Sequence, residues 1–185
     1  MNQEARPALH RLHETARILR ASVIDLSHRA QTPHLASALS CVDILAAAYW
    51  NVLRIDPARP EDPERDRFIL SKGHAATALY AALAHRGFFD PALLETFNVD
   101  GGQLAEHPSP ACVPGVEAAT GSLGHGLGLG LGMAFAGRLQ RRAYRVFALL
   151  SDGECNEGST WEAALLGPAL GLDRVCAIVD YNKWQ

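Results

Sequence analysis

Apolar residues recur at three- and four-residue steps through Leu9, Leu12, Ala16, Leu19, Val23 and Leu26, which predicts an amphipathic helix over residues 8–30. Pro33 closes it. A second helix is expected to start at Ser40-Cys41-Val42-Asp43, read as a capping box, and to run to about Leu53. The stretch IDPARPEDPERDR is too rich in proline for a helix or a central strand, so residues 56–66 read as a surface loop. The period then changes. Arg67–Leu70 has strand length, His74–His85 is helical with Gly87 as its C-cap, and residues 98–119 are loop-rich.

The run GSLGHGLGLGLGMAFAGRL alternates glycine with Leu and Ala and predicts a tightly packed helix from about Ser122 to Arg142. Glycine inside a helix costs about 1 kcal/mol against alanine. So many glycines therefore imply close backbone approach, either of another helix or of a ligand. Tyr144–Leu150 reads as a strand, Ser159 and Glu162 as a capping box for a helix to about Leu170 capped by Gly171, and Arg174–Asp180 as the next strand. This is a strand–helix–strand unit, whose strands should be parallel and whose crossover should be right-handed. The fold class expected is α/β, a parallel sheet flanked by helices.

Composition changes little in this picture. The 185 residues suffice for one domain with a real core, and 48% hydrophobic with 20% charged residues is ordinary for a soluble protein. A net charge of −3 with scattered Lys and Arg gives no basic field, so nucleic acid is not an expected partner. No apolar stretch reaches the length of a membrane span, and the charged first thirty residues are unlike a signal peptide. Four cysteines, Cys41, Cys112, Cys155 and Cys176, lie far apart without a C-x-x-C pair. They read as free thiols in a reducing, cytoplasmic setting, with Cys176 buried in its apolar run.

The chemistry concentrates at two strand ends. Parallel strands present their carboxyl ends on one edge of a sheet, where ligands of open α/β folds bind. Asp152 and Asn182 each follow such an end, thirty residues or one βαβ unit apart, and should converge. A carboxylate and an amide oxygen are hard ligands suited to Mg²⁺ or Ca²⁺, with phosphate oxygens and water completing the shell. Gly153 would let the backbone approach that phosphate and donate its amide. Taken alone, an Asp-Gly step and an Asn are also ordinary turn residues.

These residues resemble the G-D-G…N pattern of thiamine diphosphate enzymes, and the chain is similar to the N-terminal, diphosphate-binding segment of the transketolase family. The stretches LASALSCVDILAAAYWNVLRIDP, RDRFILSKGHAATALYAALAHRGFF, HPSPACVPGVEAATGSLGHGLGLGLGMAFA and LLSDGECNEGSTWEAALLG carry the likeness in the family's order. The resemblance implies that Asp152, Asn182 and the carbonyl of Trp184 hold Mg²⁺, for which Ca²⁺ can substitute. It implies that Gly153 and His74 meet the diphosphate of thiamine diphosphate, that Gly121, Ser122 and Leu123 line the cofactor, and that Glu157 links paired active sites. His34 and His107 stand where the family places histidines that contact the sugar and assist proton transfer. Ser151 replaces the first glycine of G-D-G, and Pro33 and Ala36 stand where the family has glycines around His34.

In that family the carboxylate that activates the cofactor lies on a separate pyrimidine-binding domain. The chain is accordingly expected to work with a C-terminal transketolase subunit, as a dimer of the two-chain unit, on sugar or sugar-phosphate substrates. With the last strand so close to Gln185, the diphosphate domain over 1–185 reads as incomplete at its C-terminus: a truncated product, a partial chain, or a subunit whose remaining strands are encoded elsewhere. Two other readings stand beside this one. One is a non-catalytic binding or regulatory module that keeps the fold. The other is the α subunit of a 2-oxoacid dehydrogenase, against which the SKGH and ATGSLGHG stretches weigh.

Overall fold

The computed structural model describes residues 5–110 and 112–183. Trp184, expected as a carbonyl ligand, lies outside the described residues. The chain opens with α1 (Ala5–Ala30), α2 (Leu35–Ser40) and α3 (Val42–Ala47), the last continuing as a π-turn over Ala48–Val52. Strand β1 (Arg67–Leu70) leads through a short 3₁₀ turn (Gly73–Ala75) into α4 (Ala76–Arg86), which Gly87 ends in the left-handed conformation. After a 3₁₀ turn at Pro91–Thr96 and a long loop come α5 (Gly126–Leu139), β2 (Val146–Ser151), α6 (Gly158–Ala169) and β3 (Val175–Asp180).

The strands form one parallel sheet in the order β1-β2-β3, with Phe68 opposite Phe147 and Phe147 opposite Cys176. Alternation along the strands divides the core in two. Phe68, Leu70, Phe147 and Leu149 face the helices α1 to α4. Val146, Ala148 and Leu150 face α5 and α6 with Ile69, Leu127, Leu131, Ala134 and Ala163. Every residue of β2 is buried, as a central parallel strand requires. On α1 the predicted stripe is buried at Ala16, Leu19, Val23 and Leu26, with Ser27 beside them, whereas Leu12 is half-buried and Leu9, near the start of the helix, is exposed.

Several expectations need correction. Ser40 does not cap a helix: α3 begins after Cys41 without a side-chain cap, and α2 precedes it. Nor does Ser159 cap α6, whose N-cap is Glu157; the Ser159 hydroxyl donates to the Gly124 carbonyl at 2.9 Å. Ser159 spends its hydroxyl on a tertiary contact, and Ser40 Oγ lies within reach of both the Asp180 carboxylate and the Ser37 carbonyl, 2.9 Å away on its own helix. The glycine-rich helix starts at Gly126, not Ser122, because residues 121–125 form a loop against the end of β2. Cys176 is exposed, not buried. It sits on β3 at the sheet edge, where apolar character does not guarantee cover.

Residues 56–66 contain turns and no helix or strand, yet their last residue, Asp66, is 1% exposed. Its carboxylate accepts from Arg54 Nη2 at 2.9 Å, Arg145 Nε at 3.0 Å and the Arg145 amide at 2.8 Å. This clips the entry of β1 to the entry of β2. Burial pushes the Asp66 carboxyl upward, but the hydrogen bonds from Arg145 and Arg54 outweigh it and hold it down at about 2. A depressed carboxyl contributes stability above its unfolded value near 4, and that stability is lost as pH falls toward 2. Asp66→Ala should therefore cost about 3 kcal/mol at pH 7, the low end for a broken buried pair because both arginines reach water. The cost should shrink as pH falls from 4 through 2, read from urea denaturation midpoints across pH. Among the described residues, no helix is long and apolar enough to cross a membrane.

Candidate functional site

A cavity of about 450 Å³ opens at the carboxyl-terminal edge of the sheet, lined by residues from α2, the turn after β1, the loop before α5 and the ends of β2 and β3. Asp152 and Asn182 both line it. Their backbones meet at one atom: the Asp180 carbonyl accepts the Asp152 amide at 3.3 Å and the Asn182 amide at 3.1 Å. The Asp152 carboxylate accepts the Gly153 amide at 3.0 Å and the Lys183 amide at 2.9 Å, which fixes its direction. The Gly153 amide is thus engaged by Asp152, and a phosphate would have to displace that bond to use it.

His74 enters from the turn after β1, and Ser37 of α2 stands beside it, Oγ 2.8 Å from Nε2. His34, also lining the cavity, has φ +72°, and its ring centroid lies 5.1 Å from that of His74. A non-glycine residue held left-handed is strained, which is commonest where function demands it. Burial, then the charges of Lys72, His34 and His107, push the His74 imidazole down to about 4. It is neutral at pH 7, one nitrogen a donor and one an acceptor. The unfolded histidine takes up a proton near 6.5 while the folded one does not, so stability is full above that pH and falls as pH drops toward 4. NMR titration of the His74 ring should show no protonation between pH 8 and 5, and His74→Asn should remove this component of acid sensitivity.

The loop before α5 supplies Leu123 to the cavity wall. Gly121 and Ser122 precede it. Glu154, wholly buried, fastens this loop to β2: its carboxylate accepts the Gly124 amide at 2.7 Å, the Ser71 hydroxyl, and the Ser151 amide at 3.3 Å. A Cβ on Gly121 would lie 2.5 Å from His107 Cδ2, so the imidazole of His107 rests on the bare backbone there. The close approaches at Gly121, Gly130 and Gly137 are to neither a second helix nor a ligand: Gly121 leaves room for the His107 imidazole, Gly130 and Gly137 let α5 sit on Val146 of β2 and on Tyr144, and Gly128 and Gly132 face open space.

His107 is exposed and Glu157 lies outside the cavity, at the N-terminus of α6 beside Gly124. Ser37, Ser40 and Ala36 also line the cavity, and no sequence motif marks them out. Their readable signal is the three-residue step His34, Ser37, Ser40 along one helix. Among the described residues, no three His, Cys, Asp or Glu side chains group as a metal site. A cation here would combine the oxygens of Asp152 and Asn182 with oxygens of a ligand, the donor set magnesium takes in phosphate complexes.

A family model described as transketolase, thiamine diphosphate binding domain, matches residues 11–185. The chain belongs to the transketolase family. Within the transketolases, an apulose-4-phosphate transketolase subunit of Phocaeicola vulgatus is 40% identical over 166 residues, covering 90% of this chain and 59% of that protein. The 6-deoxy-6-sulfo-D-fructose transketolase subunit SqwG of a Clostridium strain is 39% identical over 174 residues, covering 94% of this chain and 63% of that one. The chain therefore spans about 60% of the length of these two relatives. The crystal structure of transketolase from Campylobacter jejuni superposes with a TM-score of 0.88 at 30% identity, covering all of this chain and 29% of that one. A parallel sheet with helices on both faces is thus the transketolase arrangement, and the cavity at its edge belongs to a thiamine diphosphate binding domain.

Proposed function

We propose that this chain is the diphosphate- and metal-holding part of a transketolase-type enzyme that moves a two-carbon ketol unit from a ketose to an aldose. The observation that carries the proposal is the convergence of Asp152, Asn182, His74 and Leu123 on one cavity at the sheet edge. Asp152 and Asn182 take Mg²⁺, with the Trp184 carbonyl as a third ligand and Ca²⁺ as an alternative ion. Gly153, His74, Gly121 and Ser122 meet the diphosphate and the body of the cofactor, and Ser37 orients His74. The cofactor, when bound, supplies an electron sink for breaking a carbon–carbon bond next to a carbonyl. His34, in the cavity wall, and His107, exposed beside Gly121, bind sugar hydroxyls and move protons to and from them.

The activating carboxylate is contributed by a pyrimidine-binding domain on a partner chain. Two relatives named as transketolase subunits support this two-chain arrangement. Glu157 connects paired sites across a dimer of the two-chain unit. Four free cysteines fit a cytoplasmic protein. Calorimetric titration with thiamine diphosphate and Mg²⁺, alone and with the partner chain, tests the proposal alongside a ketol-transfer assay. Metal-dependent binding, with transfer only in the presence of the partner, is expected. Binding without turnover in the assembled pair would instead favour a non-catalytic module.

A further inference from the structure

Lys72, just past β1, has a side chain with no solvent exposure at all. Its Nζ donates to Asp180 Oδ2 at 2.7 Å and to Ser40 Oγ at 3.3 Å, and the Ser40 hydroxyl donates to the same Asp180 oxygen. Asp180 ends β3 and is 6% exposed. This pair spans the sheet, from the end of β1 past β2 to the end of β3. A buried ion pair contributes little net stability, because desolvating both charges offsets their attraction. What it does contribute is a fixed geometry, and here the fixed residue is an unusual one. The Asp180 carbonyl accepts the amides of both Asp152 and Asn182. Its carboxylate is gripped by Lys72 and by Ser40 of α2. One residue therefore ties the backbones of both candidate metal ligands to the rest of the cavity wall.

We infer that Lys72 and Asp180 are positioning residues that hold the Asp152 and Asn182 side chains at the spacing one divalent ion requires. The inference rests on the metal reading given above. Neither residue touches the ion; both act through the Asp180 backbone.

The test uses the full chain with thiamine diphosphate and Mn²⁺ as the probe. Calorimetry gives ion affinity, Mn²⁺ electron paramagnetic resonance gives coordination, and urea denaturation gives stability. The variants are Lys72→Met, Asp180→Asn and the double Lys72→Met/Asp180→Asn, with Asp152→Ala as control. Each single variant should weaken Mn²⁺ about ten- to a hundredfold, as losing a group that orients metal ligands does, and should alter the resonance spectrum. The double variant buries no unpaired charge, so its stability should return toward wild type while Mn²⁺ affinity stays low. It also carries the test if a single variant fails to fold. Affinity that recovers together with stability in the double variant would reduce the pair to a structural role and overturn the inference, as would wild-type affinity in a folded single variant. Unchanged affinity in Asp152→Ala would defeat the metal reading itself. Loss in Asp152→Ala with no loss in the clamp variants would defeat only the positioning inference.

Discussion

Asp152→Ala is expected to abolish Mg²⁺-dependent binding of thiamine diphosphate while leaving the protein folded. Asp152 is the one carboxylate lining the cavity among the described residues. Asn182 by itself offers a neutral oxygen, and Mg²⁺ in phosphate complexes is held through one or two carboxylates. The structural cost is smaller. The carboxylate caps the short turn Gly153–Asn156 and accepts the Lys183 amide, contacts at the surface of the cavity and not in the core. Loss of such a cap costs about 1 kcal/mol. Calorimetry should show no metal-linked binding in the variant, and urea denaturation should show a midpoint only slightly lowered. Equal cofactor affinity in variant and wild type would remove the metal assignment.

Gly73→Ala should be the most disruptive single methyl in the site. A Cβ there would lie 2.4 Å from both the carbonyl carbon and oxygen of Thr120 and 2.6 Å from the Gly121 nitrogen. All three are backbone atoms, so no side chain can turn aside. The turn bearing His74 and the loop bearing Leu123 must separate, and both carry cavity walls. Overpacking of a tight core costs about 1–3 kcal/mol, and an immovable backbone places this case at the upper end, about 3 kcal/mol. Cofactor affinity should fall in parallel, because the two walls no longer share one spacing. The measurements are a urea midpoint and a thiamine diphosphate titration; a wild-type midpoint would show that the two segments do not abut as described.

Much of this architecture is written in local pattern. β1 is found at Arg67–Leu70 as the apolar run predicts, β2 and β3 begin one or two residues later than expected, and α1 buries the predicted stripe from Ala16 onward. Strand–helix–strand spacing leads to the parallel pairing and so to the shared edge where Asp152 and Asn182 lie. What local pattern misses depends on partners distant along the chain. Ser40 and Ser159 have the local context of helix caps, yet the Ser159 hydroxyl goes to Gly124, and that of Ser40 reaches Asp180 as well as the Ser37 carbonyl one turn back. Local hydrogen-bonding habit yields wherever a tertiary acceptor is better placed. Lys72 has no acidic neighbour nearby in the sequence, and only the sheet places Asp180 beside it. Asp66, within a charged proline-rich stretch, reads as loop, but the strand entries bring Arg54 and Arg145 around it. Cys176 errs in the opposite direction: its neighbours are apolar, and the edge position of β3 leaves it exposed. The break between loop and helix at Gly126 is equally invisible in the pattern, since Leu-Gly alternation continues across it and only contacts with Ser71 and Glu154 mark the boundary.

The most direct test is anomalous diffraction from crystals of the chain, with its partner where required, grown with thiamine diphosphate and Mn²⁺. A single manganese peak bonded to a carboxylate oxygen of Asp152, the side-chain oxygen of Asn182 and the diphosphate is the predicted result. A peak away from both side chains, or a diphosphate bound elsewhere than this cavity, would contradict it.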